Sequence, residues 1–341
     1  MSLVNMFFKN WIMIILSIVI ITAAAGAAGY LYIDRPAGDG SKKIDFVVKN
    51  GWGASSVISQ LSADSMIKSR TGFKFVLSIT GKTKSMKRGV YSIDDSMKPS
   101  QIIDILTSGK TKTVTFTIPE GYNNRQIADQ LVKKGLFSSK ERFMQLASSR
   151  SILNHFKITG SSTEGYLFPD TYTIPVGFPE DKIITLMVEH FFEKVSELKD
   201  FPEDPVKRQR LVILASIVER EAKVVAERPL IAAVFNNRLK QKLPLQSCAT
   251  VQYLFDPPKK RLFFQDLEKA SPYNTYRNPG LPLGPISNPG ISSLSAALNP
   301  ADTDYIFFVV KGDGEHHFSN NYREHMKAKR EFVGESDRDL K

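Results

Sequence analysis

The sequence predicts an α+β protein carried on an N-terminal transmembrane helix, and three observations predict it. An uncharged apolar run lies near the N-terminus, a strand–helix–helix–strand pattern recurs seventy residues apart, and helical patterns follow one another beyond residue 181 into a mixed α/β domain. At 341 residues, 42% hydrophobic and 24% charged, the chain is long enough and apolar enough for two domains with cores, which excludes a disordered or fibrous protein.

Taken in order, residues 1–10 form a tail and 11–33 the span. From Asn10 to Ile33 there is no charged residue, and roughly 20 apolar residues cross a bilayer as a helix. Lys9 precedes the run while Asp34 and Arg35 follow it, a small bias toward a cytoplasmic N-terminus. A cleaved leader is the competing reading, with Ala23-Ala24-Ala25 as the processing site. Apolar character resumes at Tyr30-Leu31-Tyr32-Ile33, which favours an anchor, so a membrane is an expected partner.

Residues 34–41 read as a linker and 42–112 as a first small module. It holds a strand at 44–49, a turn at Gly51, two helices, a strand at 89–93 and a helix at 99–107 started by Lys98-Pro99 or Ser100. A shift of seventy places pairs Phe46 with Phe116, Gly51 with Gly121, Trp52 with Tyr122, Val57 with Ile127, Leu61 with Leu131 and Phe73 with Phe143. Residues 113–175 therefore read as a second, degenerate copy, with strands at 114–118 and 165–168. It opens a domain that runs to residue 341.

Helices are expected at 181–198, 205–223 and 225–240. Prolines and glycines crowd 271–300, too many for regular structure, and the aromatics among them suggest a shaped binding wall. A buried strand at 305–310, a turn at 311–314, a short strand and a helix at 320–333 close the chain.

Within 205–223, apolar residues at 211, 214, 215, 218 and 222 mark one buried helical face, with Glu219 one step from it. Desolvation there raises a carboxyl pKa and keeps it protonated near neutrality, the state a general acid needs. The plainer reading is a solvated edge residue beside Arg220 and Lys223. Four ordered blocks surround this glutamate: Ala215 to Ala222 (ASIVEREA), Val234 to Leu239 (VFNNRL), Leu245 to Tyr253 (LQSCATVQY) and Ser271 to Gly290 (SPYNTYRNPGLPLGPISNPG). Together with Glu164 to Tyr172 (EGYLFPDTY) and Gly314 to Ser319, they resemble the MltG (YceG-like) family of endolytic murein transglycosylases. The resemblance is strong over about 160–320 and looser over 40–160. It departs at Cys248-Ala249, where many relatives carry an acidic residue.

The resemblance implies a LysM-like first module that docks N-acetylglucosamine polymers, and a lyase acting on peptidoglycan strands. Glu219 would protonate the β-1,4 oxygen between N-acetylmuramic acid and N-acetylglucosamine, then take the C6 hydroxyl proton as a 1,6-anhydro ring closes, with no cofactor. Asn237, Gln246, Ser247, Thr250, Gln252, Tyr273, Asn274 and Tyr276 are the candidate subsite residues, each with a structural alternative such as helix capping or packing. The implied setting is the bacterial inner membrane, single-pass with the C-terminal part outside, in transient contact with peptidoglycan synthases. A muramidase-type hydrolase would need Glu164 or Asp170 near Glu219; a non-catalytic glycan-binding scaffold is the third reading.

Other classes recede. The net charge of +11 is scattered without a nucleic-acid motif and suits anionic lipid and wall polymers instead. His316, His317 and His325 lack metal-ligand spacing, so no metal is expected, and the single cysteine, Cys248, rules out an internal disulfide framework.

Overall fold

The apolar run forms one helix, α1 (Leu3–Ile33), in the computed structural model, which describes residues 3–49, 51–83, 85–312 and 314–332. The first two residues of the expected tail, Asp313 of the expected turn and residue 333 of the expected last helix lie outside the described residues. Within α1, Asn10–Ile33 is long and apolar enough to cross a membrane, and most of its side chains are exposed.

The chain divides into two compact units, Met1–Val114 with Thr173–Gly177, and Thr115–Tyr172 with Phe178–Lys341. In the first, β1 (Lys43–Val48) and β2 (Gly89–Asp94) pair antiparallel in the register Phe46 to Tyr91, joined through α2 (Ala54–Ala63) and α3 (Arg70–Ile79), and α4 (Pro99–Ser108) follows. The alternating strands send Phe46, Tyr91 and Ile93 to one side, where Val57, Leu61, Phe73 and Ile102 from the helices complete a closed core. The expected linker is pinned to this unit. Asp34 accepts hydrogen bonds from Ser100 N (2.8 Å) and Ser100 Oγ (2.7 Å), so its carboxylate caps α4, and Gly38 and Gly40 bond to Asp95.

The second unit opens with the repeat. From Thr115 on, β3 (Thr113–Thr117) leads to α5 (Asn124–Lys133), α6 (Lys140–Ala147), α7 (Arg150–His155) and, as far as Tyr172, β4 (Thr171–Pro175), which pairs with β3. Helices α2 and α5 begin and end seventy residues apart. Phe46 and Phe116, Leu61 and Leu131, and Phe73 and Phe143 are all at most 1% exposed, so one apolar template builds both cores. Gly51 and Gly121 share a left-handed φ of +80° and +76°, which an L side chain resists. Asn123 and Gln126 form a reciprocal cap on α5. One expectation fails: 165–168 is not a strand, and β4 closes the copy instead. Gly165 has φ +87°, and the N–H groups of Gly165 and Leu167 both donate to Asn288 Oδ1, which removes them from any ladder.

The helical part follows as α8 (Glu180–Ser196), α9 (Pro205–Glu221), a 3₁₀ turn at Val225–Glu227 and α10 (Arg228–Lys240), each end within a few residues of expectation. Asp204 caps α9 by accepting from Lys207 N at 2.8 Å, and Pro205 fits its first turn. Two short helices, α11 (Cys248–Gln252) and α12 (Phe264–Leu267), were not foreseen. Neither was α13 (Ile291–Leu298), which lies inside the proline- and glycine-rich segment because Gly290 and Pro300 flank it without entering it. The antiparallel pair β5 (Phe307–Val310) and β6 (His316–Ser319) and α14 (Tyr322–Phe332) complete the unit.

Equivalent packing sets equivalent costs. Phe73→Ala and Phe143→Ala should each destabilise the protein by about 3–5 kcal/mol, read as a fall in urea midpoint without a change in slope. An unchanged midpoint in either would separate the two cores.

Candidate active site

Helix α9 is buried on nearly every side, not along one stripe: every residue from Val212 to Val218 is buried, while Leu211 is only half-buried. Helices α10 and α13 pack against it, and their small residues Ala232, Ala233, Ser293, Ala296 and Ala297 allow close approach. Glu219, in the last turn of α9, therefore faces protein, and its side chain is 4% exposed.

Two groups hold its carboxyl. Arg228, brought round by the 3₁₀ turn to start α10, places Nη2 2.9 Å from Glu219 Oε1. Gly290, the residue before α13, donates its N–H to Oε2 at 3.0 Å. Burial pushes the Glu219 pKa up, and the nearby Glu120 carboxylate adds to this; the Gly290 bond and the Arg228 charge act in the opposite sense and are outweighed.

Sequence reasoning missed Glu120. Its Oε2 lies 3.4 Å from the same Arg228 Nη2, so two carboxylates face each other across one guanidinium nitrogen. Arg228 also donates to Ser292. The only signal for Glu120 was its place beside Gly121, just after the repeat strand. By contrast, Glu221 turns away to Ser247 Oγ, as its offset of two residues on the helix predicts.

The other candidate acids have other partners. Glu164 is 5% exposed and accepts from Asn124 N (3.0 Å), Asn288 Nδ2 (3.2 Å) and Tyr253 Oη (3.1 Å), with burial pushing its pKa up to about 8. Asp170 lies 2.7 Å from His190, which holds its carboxyl below the usual range.

The candidate subsite residues separate into groups. Gln246, Ser247 and Tyr276 line a pocket of about 370 Å³ with Glu221 and the aromatic face of β5. Tyr273 lines a smaller one of about 140 Å³ with Glu164. Gln252 sits by Gly121 and Arg220, near the Glu120 loop. Three others are engaged within the fold. Asn274 is fully buried, donating to Leu267 O and Lys269 O and accepting from Tyr276 N, so it holds the wall together and does not face a ligand. Asn237 donates to Thr303 O and Tyr305 O, and buried Thr250 bonds Ser247 O and Thr275 Oγ1. Cys248 Sγ lies 3.1 Å from Tyr276 Oη. Of the histidines, His316 Nδ1 is 2.7 Å from Glu227 and His325 stacks on Phe307.

The site is thus a buried glutamate held between a guanidinium and a helix N-terminus on an α+β scaffold. The chain belongs to the YceG-like family, whose model matches residues 46–331. An endolytic murein transglycosylase of Bacillus subtilis (strain 168) is 35% identical over 314 residues, covering 86% of this chain and 86% of that protein. One from Streptococcus pneumoniae serotype 2 (strain D39) is 28% identical over 361 residues, covering 95% of this chain and 65% of that protein. The crystal structure of a yceG-like protein from Listeria monocytogenes superposes with a TM-score of 0.59 at 32% identity, covering 84% of this chain and 99% of that one.

The raised Glu164 pKa couples stability to pH. The folded state holds this proton more tightly than the unfolded chain, so its contribution is present below the ordinary value of 4.5 and lost as pH rises toward about 8. Between those limits the stability of the native protein relative to Glu164→Gln should fall by an amount on the order of 4 kcal/mol. Urea midpoints of both proteins at either end check it, and parallel pH profiles would contradict it.

Proposed function

We propose that the chain is a membrane-anchored endolytic lytic transglycosylase, with Glu219 as its acid and base, cutting the β-1,4 bond from N-acetylmuramic acid to N-acetylglucosamine in nascent strands. The observation that carries this reading is the burial of Glu219 against Arg228 and the Gly290 N–H. Family membership and the activity named for the Bacillus and Streptococcus relatives support it.

The chemistry needs one group that serves in both protonation states. Desolvation favours protonated Glu219, ready to give its proton to the glycosidic oxygen. The carboxylate then formed is received by Arg228 Nη2 and the Gly290 N–H, which are already in hydrogen-bond range and require no reorganisation. That carboxylate takes the proton of the sugar's C6 hydroxyl as its oxygen closes onto C1. The product is a 1,6-anhydro end, and the acid form returns.

Helix α1 would hold the enzyme in the inner membrane with the rest outside, and the first module would act as a LysM-like glycan dock. A tether this short gives access to strands leaving their synthases, so transient contact with those enzymes follows. Glu120 supports a second reading, because hydrolysis requires a second carboxylate within roughly 5 to 9 Å of the first. The two readings yield different ends.

Full-length protein in detergent, incubated with uncrosslinked glycan, should give internal fragments ending in anhydro-N-acetylmuramic acid by mass spectrometry. Glu219→Gln should lower the rate roughly 10²–10⁴-fold. Reducing ends would transfer the case to the hydrolase, and cleavage undiminished in the variant would remove Glu219 from the chemistry.

A further inference from the structure

We propose that Glu120 is a positioning residue: it shares Arg228 with Glu219, draws the guanidinium's charge toward itself, and so keeps Glu219 in its proton-donating form. The inference rests on the acid/base role of Glu219 proposed above.

The geometry is particular. Arg228 is 7% exposed at its side chain and starts α10, so it cannot withdraw into solvent. One nitrogen, Nη2, serves Glu219 at 2.9 Å and Glu120 at 3.4 Å. Glu120 is 48% exposed and reaches into the cluster from the loop after β3. The loop is fixed there: Gly121 N donates to Asn288 O at 3.0 Å and Arg220 Nη1 donates to Gly121 O at 3.4 Å. Residue 290 makes room for it. A Cβ added to Gly290 would sit 1.8 Å from Glu120 Oε1 and 2.3 Å from its Cδ, so a side chain at 290 and the carboxylate exclude each other. The same residue gives its N–H to Glu219. One glycine thus admits both carboxylates to the cluster.

The charges around Glu219 can be named element by element. Helix α10 contributes Arg228 and the loop after β3 contributes Glu120. Helix α13 contributes the Gly290 N–H and carries no charged side chain. Helix α11 turns Cys248 toward Tyr276, and on α9 itself Arg220 is spent on Gly121 O. An acid facing a lone buried guanidinium would ionise early, because the pair Arg⁺ and Glu⁻ is neutral whereas Arg⁺ and GluH is not. Glu120 offsets part of this pull and so acts with burial: the cluster is neutral while Glu219 keeps its proton and gains a net negative charge when it releases it. Bound to the same nitrogen, Glu120 acts on Glu219 through Arg228.

The test is the pH dependence of kcat/KM for full-length protein in detergent acting on uncrosslinked glycan, from about pH 5 to about pH 9. Wild type, Glu120→Gln, Glu120→Asp and Glu219→Gln are compared, with thermal melts of each. Because the protonated acid is the active form, activity is lost as pH rises through the Glu219 pKa. Glu120→Gln should move that alkaline limb down by about one unit, read against the variant's own acidic plateau. Glu120→Asp, which keeps the charge, should restore the wild-type limb. An unmoved limb in Glu120→Gln overturns the proposal, as do two Glu120 variants inactive at every pH or two that fail to melt as folded proteins. Activity of Glu219→Gln equal to wild type overturns the underlying acid/base reading instead, whatever Glu120 does.

Discussion

One buried side chain amide fastens the site together. Asn288 is fully buried, its Oδ1 accepts from Gly165 N and Leu167 N, and its Nδ2 donates to Tyr122 O and Glu164 Oε1. Its backbone adds a reciprocal pair, with Asn288 N donating to Tyr122 O and Gly121 N donating to Asn288 O. Three segments distant in sequence, around 121, 165 and 288, meet at this residue. Glu120 lies immediately before one of them and Gly290 two residues beyond another. The cluster around Glu219 inherits its geometry from this staple. Each bond contributes about 1 kcal/mol, but truncating the amide would strand several buried partners at once, which costs more than their sum of contributions suggests.

Electrostatics then acts on a frame already set. Glu219 stands at the C-terminal end of α9, whose carbonyls disfavour a negative charge, and points at the N-terminal end of α13, whose N–H groups favour one. The opposed helix ends and the shared arginine pull the Glu219 proton equilibrium in opposite senses, and burial tips it toward the protonated form.

The sequence showed what is local or periodic. The seventy-residue repeat was legible because the same apolar positions build both cores, and α9 and α10 were legible because their helical patterns are uninterrupted. Glu219 stood out as a carboxyl in apolar company. What stayed hidden was long-range. Glu120 precedes Arg228 by 108 residues, and nothing in its own neighbourhood points to that partner. Helix α13 hid among prolines that border it. The strand expected at 165–168 has the right composition, but its N–H groups are claimed by an asparagine over a hundred residues later. Asn237 and Asn274 read equally well as sugar-binding amides or as backbone ties, and the carbonyls they bond come from residues that the sequence does not place beside them.

The clamp of Asp34 on the start of α4 has a mechanical consequence. The last turn of α1 packs its Tyr30 and Ile33 on the core that α2, α3 and α4 build, and Asp34 then locks directly to Ser100. No swivel separates the helix from the first module. Such a joint makes the module a lever: a helix that tilts to match a thinner bilayer would carry it sideways by the same angle. In the membrane-anchored reading proposed above, lipid thickness would set how the module leans, a mechanical input that a loosely tethered domain would not feel.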